Sequence, residues 1–219
     1  MCQPFIRNHQ YNAIKKQVDF LQTTVNTVSD PKVVESVRYN APIKALEAFP
    51  HASEQERQLL EKISALSSAA ECQSYLQFLE PYRLSFPEVS AKQLAKLYPK
   101  VKKLKLPDLE TTDYRRITYL GWLDIAMTKM YLVYSLDGKM VGIDGRFTPA
   151  NKGVCFLCNR HSEVALFTAV SKDRPANASP DYYKAIGNYV CMDSAVCNQN
   201  ITDVAPLEKF IGEVMGTSK

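Results

Sequence analysis

Four of the six cysteines in this 219-residue chain fall into two groups, Cys155-Phe156-Leu157-Cys158 and then Cys191 with Cys197. A C-x2-C turn sets two sulfurs one metal-ligand edge apart, and a second pair brought alongside completes a tetrahedron of thiolates around Zn²⁺. Four thiolates make a closed, structural shell, whereas catalytic zinc keeps one position open for water. Two other readings use the same residues. The spacing of Cys155 and Cys158 also suits a redox dithiol, which leaves Cys191 and Cys197 without a role, and His161 could displace one cysteine as ligand. The second pair is C-x5-C where treble-clef fingers usually have C-x2-C, so spacing alone does not place Cys197. Cys2 and Cys72 stand apart and read as unpaired small residues.

No other catalytic pattern competes. H-E-x-x-H, G-x-S-x-G and a phosphate-cradling glycine loop are all missing, and only eight glycines are present. His9 and His51 have no carboxylate or thiol near them in sequence. No apolar run approaches a membrane span and the first residues lack a leader pattern, which places the chain in the cytosol, where clustered thiols point to metal rather than disulfides. The net charge is +4, concentrated between Lys92 and Arg116, where eight Lys or Arg face three acids. Such a segment attracts nucleic acid or an acidic protein surface, and equally suits a solvated helix end.

The elements that must position the thiols follow from periodicity. Ile14, Val18, Leu21, Val25 and Val28 line one helix face; Ser29-Asp30-Pro31 ends that helix and caps a second, which Pro42 is expected to interrupt. Ser53 with Glu56 forms a capping box for a third, and a fourth follows Ser67 or Ser68 and stops near Pro81. These one-sided helices must bury their faces on one another, so residues 1–82 are expected to be an antiparallel bundle. Residues 83–112, rich in proline, read as a linker with one short helix from Ser90 to Tyr98 and a lysine run, 100–106, alternating like an edge strand.

From 113 to 219 the composition turns β-branched and aromatic. Strands are expected over 114–123, 130–135, 140–147 and 164–170, with Asp137-Gly138 as a hairpin turn. Trp122 sits inside this small antiparallel sheet and reads as core. A loop spans 171–188, carrying Lys172, Arg174, Pro175, Pro180, Tyr182, Tyr183 and Lys184, and Cys197 falls in a short helical turn. A last helix, capped near Thr202, buries Leu207, Phe210, Ile211 and Val214. The fold class is α+β: a helical bundle, then a sheet domain closed by a treble-clef-like four-cysteine finger. A structural zinc site contributes roughly 10–16 kcal/mol to a small fold. The finger is therefore a scaffold, and it displays Phe156, Arg160 and the Tyr182, Tyr183, Lys184 group. Aromatics interleaved with cations suit a protein interface anchor or stacking on RNA.

Taken together, His9-Gln10-Tyr11-Asn12 before a helix, the segment from Lys100 to Pro107, Gly121-Trp122, Cys155-x2-Cys158-Asn159, and Tyr189-Val190-Cys191-x-Asp193-Ser194-x2-Cys197-Asn198 resemble the FusB-type proteins. These fusidic-acid-resistance proteins bind elongation factor G, and the similarity runs along nearly the whole chain. The resemblance implies one structural Zn²⁺ held by Cys155, Cys158, Cys191 and Cys197, and no enzymatic activity. It further implies that the C-terminal domain binds elongation factor G and helps free it from the ribosome when fusidic acid has trapped it there. The chemistry of the displayed residues nominates Phe156, Arg160, Tyr182, Tyr183 and Lys184 as partner contacts; no membrane or small-molecule substrate is implied. The alternative is a zinc-containing RNA- or ribosome-binding protein.

Overall fold

The computed structural model describes residues 3–173, 175–179 and 181–217; Cys2, Arg174 and Pro180 lie outside them. The chain divides into two units, Met1–Leu84 and Ser85–Lys219.

The first unit is built from α1 (Asn8–Thr27), α2 (Pro31–Leu46), α3 (Glu54–Glu61) and α4 (Ala69–Leu79). The caps act as their residue types require. Asp30 accepts from the Lys32 N–H with Pro31 at the first helical position, Ser53 and Glu56 exchange a capping box, and Ser68 accepts from the Glu71 N–H. Ile14, Val18 and Leu21 are fully buried against Leu60, Ile63 and Leu79, and each such side chain contributes about 1.5–3 kcal/mol. Pro42 does not end α2, which runs four residues further. Its ring is buried beside Ala41 and Ala45, and that packing offsets the backbone hydrogen bond a proline forgoes. Arg83 closes the unit as a buried cation. Its guanidinium donates to Asn8 Oδ1 (2.8 Å) and Glu80 Oε1 (3.0 Å) and lies 4.1 Å from the Tyr11 ring centroid.

The second unit carries one antiparallel sheet in sequential order: β1 (Leu120–Asp124), β2 (Lys129–Leu136), β3 (Lys139–Val154), β4 (His161–Val170) and β5 (Ala185–Cys191). Asp137 and Gly138 turn the β2–β3 hairpin with φ of 49° and 77°, the positive pair such a turn needs. One sheet face is covered along its length and the other over β1–β3. On one, Met130, Leu132, Ile143, Phe147 and Phe167 pack with α6 (Ser194–Asn200) and α7 (Ala205–Met215) and with the cysteines. On the other, Leu120, Tyr131 and Val133 meet Leu94 and Tyr98 of the α5 region (Ala91–Leu97).

Several elements differ from their sequence reading. Residues 85–112 are packed on the sheet where a linker was expected. The Tyr98 hydroxyl donates to the Leu132 carbonyl (2.9 Å), and its ring lies over Gly142, where a Cβ would stand 2.9 Å from ring carbon. The lysine run 100–106 forms a turn and irregular chain with no strand pairing, and the Lys105 carbonyl accepts from the Trp122 indole N–H (2.7 Å). Trp122 stacks on Tyr131 at 5.0 Å between centroids, a packing role. β1 begins only at Leu120, since Tyr114–Arg116 is a 3-10 turn capped by Asp113 and the following amides bond to α6. β5 starts at Ala185, which shortens the preceding loop to 171–184. Thr202 does not cap α7; Asp203 accepts from the Ala205 N–H (2.9 Å).

Candidate metal centre

The sheet delivers the four thiols from three directions. Cys155 follows the last residue of β3, Cys158 precedes β4, Cys191 ends β5, and Cys197 lies in the first turn of α6. The turn from Cys155 to Cys158 is closed by two backbone bonds, Cys155 N–H to Arg160 O (3.0 Å) and Asn159 N–H to Cys155 O (2.9 Å). Asn159 takes φ of 52°, a left-handed geometry that asparagine tolerates better than most side chains. Phe156 N–H donates to Tyr189 O (2.9 Å), tying the turn to β5, and Met192 N–H donates to Glu163 O (3.0 Å), tying the β5 exit to β4.

All four sulfurs are buried, and they lie within 4.8 Å of one another. Cys155 and Cys197 Sγ are 3.8 Å apart, Cys158 and Cys191 Sγ 3.6 Å. A disulfide needs about 2.05 Å, so these are not bonded pairs. A tetrahedron with Zn–S of about 2.3 Å has S···S edges of about 3.8 Å, which the observed spacings match. The donor set fits a closed zinc shell. The Cys191 N–H points at Cys155 Sγ (3.3 Å), a bond that favours thiolate. Hydrogen bonds from Cys158, Cys191 and Cys197 push the Cys155 thiol far below the ordinary thiol value, while the same contacts, led by Cys155, push Cys197 up. Such crowding is relieved when a dication takes the place of the protons. Lone Cys72 is simply raised by burial. His161 is exposed on β4 and is no member of the cluster. With every sulfur buried, none of these thiols is offered to a disulfide substrate as a redox pair would be.

The C-x5-C gap has a structural cause. Between Cys191 and Cys197 the chain must leave β5, turn, and complete the start of a helix. Asp193 caps that helix, accepting from the Ala195 N–H (2.7 Å), and the Ser194 hydroxyl donates to Gly121 O (2.7 Å). A Cβ on Gly121 would lie 3.1 Å from the Ser194 Cβ and 2.7 Å from the Tyr119 ring, so glycine lets α6 approach. Asn198 is buried. Its Oδ1 accepts from the Thr118 N–H (2.7 Å) and Tyr119 N–H (3.2 Å), and its Nδ2 donates to Tyr119 O (2.9 Å). The sequence marked Asp193, Ser194 and Asn198 as part of a motif; their roles as fasteners of α6 to β1 emerge only once the sheet is built.

A cleft of about 260 Å³ lies beside the thiols, walled by Leu123, Met130, Leu157 and Met192. Asp193 is its one charged lining residue and is engaged as the cap, so the cleft offers no acid–base pair.

The nominated partner residues do not form one cluster. Phe156 is half-buried, edge-to-face on Phe210 at 5.5 Å, and Arg160 beside it is exposed. Tyr182, Tyr183 and Lys184 stand in the 171–184 loop, at the opposite end of the β4–β5 hairpin from Cys191. Six residues of β5 separate the two ends, about 20 Å at 3.3 Å per residue. Tyr183 is 72% exposed, Tyr182 39%, and Lys184 reaches Asp173 Oδ2 at 3.9 Å. The loop is rooted on α7 by Lys172 N–H to Val214 O (2.7 Å) and Ser171 Oγ to Glu213 O (2.7 Å). Tyr189, half exposed on β5 between the two groups, was not nominated; its place on an edge strand next to the finger is what brings it to the surface.

Comparison with known proteins agrees with this architecture. Residues 5–87 match the family model described as elongation factor G-binding protein, N-terminal, and residues 95–212 match the one described as FBP C-terminal treble-clef zinc-finger. The cysteine cluster is thus the structural Zn²⁺ site of a treble-clef finger. No curated protein matches the chain. Among solved structures, that of the fusidic acid resistance protein FusC is similar, with a TM-score of 0.78 and 29% identity over 97% of this chain and 98% of that one. With the finger model alone spanning more than half of its length, the chain belongs to the family of elongation factor G-binding proteins that carry a C-terminal treble-clef zinc finger.

Proposed function

We propose that this protein binds elongation factor G and, without enzymatic activity, promotes its release from the ribosome where fusidic acid has trapped it. The observation that carries the reading is the pair of family matches set end to end, 5–87 and 95–212, in a chain that aligns over 97% of its length with a fusidic acid resistance protein. Cys155, Cys158, Cys191 and Cys197 hold one zinc, whose work is mechanical: it fixes the ends of β3, β4 and β5 to α6.

Binding can act on the trapped factor without touching the drug. A partner that prefers one conformation of the factor shifts its population toward that state by as much as the two affinities differ. Contacts are assigned to the exposed side of the β4–β5 hairpin, from Phe156 and Arg160 at the zinc end to Tyr182, Tyr183 and Lys184 in the loop. A standard interface covers about 800 Å² per partner, roughly 30 Å across, enough to span the ~20 Å between the two groups. Phe156, held by Phe210, would be a pre-positioned anchor with little entropy to lose; Tyr183 would order on contact.

The test is co-elution of the purified zinc-loaded chain with isolated elongation factor G on size exclusion. A stoichiometric complex is expected, weakened by Tyr183→Ala and Lys184→Ala together. Absence of any complex at micromolar concentrations would end the proposal, and an unaffected double variant would remove the loop from the interface.

A further inference from the structure

The lysine run from Lys92 to Lys105 plays no part in the function just proposed, and its surroundings set it apart from an ordinary solvated face. Lys92 and Lys96 stand one turn apart on the exposed side of α5, whose other side buries Leu94. Lys100, Lys102, Lys103 and Lys105 follow, all exposed, while Val101, Leu104 and Leu109 pack inward on the sheet cluster. The strap is therefore held in place: Val101 N–H donates to Tyr98 O (3.0 Å) and Trp122 Nε1–H to Lys105 O (2.7 Å).

Among the described residues, none of these six lysines lies within ion-pair distance of a carboxylate. Two of the three acids of this segment serve local structure, while Glu110 is exposed and pairs with none of the six lysines. Asp113 pairs with Arg116 at 3.2 Å, and Asp108 accepts from the Glu110 and Thr111 N–H groups (both 3.2 Å), folding its own turn. Six exposed lysines outside any ion pair, in a segment with eight Lys or Arg against three acids, amount to a net positive surface on a fixed backbone. It lies on the face of the sheet that carries α5, away from the cysteines and α7 on the other face.

We propose that this lysine strap binds the sugar-phosphate backbone of double-stranded RNA. Lysine is a point charge that suits phosphate oxygens and is depleted from protein–protein interfaces, where Trp, Tyr and Arg anchor binding. The strap exposes no aromatic ring: Tyr98 is buried and Tyr114 half-buried, so it has no platform for the unstacked bases of a single strand. Duplex RNA, recognised through phosphates and shape rather than base edges, fits what remains. The choice of RNA over DNA rests on the translational partner proposed above; the cationic surface itself does not.

The experiment is a fluorescence-anisotropy titration of a duplex RNA of about 20 base pairs with the full zinc-loaded chain across a salt series. Each phosphate neutralised contributes about −0.9 to the slope of log K against log salt. About five engaged lysines give a slope near −4.5, or about a 500-fold loss between 50 and 200 mM. The quadruple variant Lys100→Gln, Lys102→Gln, Lys103→Gln and Lys105→Gln should lose about 3–4 of that slope while keeping the parent's melting profile and its complex with elongation factor G. Binding of RNA with this slope supports the strap even in a preparation that fails to bind the factor, so the two readings fail separately. Four results overturn the proposal: no RNA binding at the lowest salt, a variant with the parent's slope, displacement of RNA by polyglutamate at equal charge, or tighter binding of a DNA duplex than of RNA.

Discussion

Replacing Asn198 by alanine should loosen the finger's unit without touching a thiol. The side chain is 2% exposed and serves three backbone groups: it accepts from the Thr118 and Tyr119 N–H groups and donates to the Tyr119 carbonyl. Thr118 and Tyr119 are themselves buried, at 6% and 4% exposure, so water reaches the orphaned groups poorly. Each buried group left unpaired costs about 1–3 kcal/mol, and partial relaxation leaves about 3–5 kcal/mol in total. The assay is urea unfolding of the zinc-loaded full chain followed by tryptophan fluorescence. Trp122 is the only tryptophan and lies in the second unit, so the signal reports that unit alone. With a slope of about 2 kcal/mol per molar urea, the midpoint should fall by about 2 M with the slope unchanged. A midpoint within about 0.3 M of the parent would refute the claim that Asn198 fastens α6 to β1.

The other expectations are more direct. Cys155→Ala should reduce zinc from about one per chain to none, abolish the Trp122 unfolding transition, and spare the helical signal of the first unit; an unchanged transition would contradict a structural role. Arg83→Ala removes one hydrogen bond to buried Asn8 and the cation over Tyr11, and should cost the helical unit about 3 kcal/mol by circular dichroism; a loss below about 1 kcal/mol would contradict it. Glu71 is held below its ordinary value of 4.5 chiefly by the Ser67 backbone and hydroxyl. Its folded value lies under its unfolded one, so its contribution is present above 4.5 and lost as pH falls through the folded value. Glu71→Gln should flatten the acid side of the helical unit's melting profile, and an identical profile would show that the cap does not matter.

Local chemistry was legible where one residue's side chain decides the backbone of its neighbours. The Ser53–Glu56 box, the Asp30-Pro31 start and the Asp137-Gly138 turn all stand where the sequence put them. Of the cysteines, Cys155 and Cys158 were legible from their short spacing, whereas Cys197, after its five-residue gap, was placed only by the family resemblance. What failed was decided by contacts distant in sequence. Pro42 continues its helix because Ala41 and Ala45 are buried beside it. Residues 85–112 look like a proline-rich connection, yet Tyr98 finds its hydrogen-bond acceptor on Leu132, 34 positions away. Phe156 reads as exposed from composition, and only the approach of Phe210 half-buries it. In the lysine strap Val101 and Leu104 do face inward, though Leu106 is exposed and no ladder bonds form.

The central claim is that a zinc-braced, non-catalytic chain acts by holding elongation factor G. Native mass spectrometry of the two purified proteins mixed at micromolar concentration tests it most directly. A single new species weighing one chain, one zinc and one elongation factor G is expected, lost together with the zinc in Cys155→Ala. Two free proteins, or a complex that forms equally well with the zinc-free variant, would contradict it.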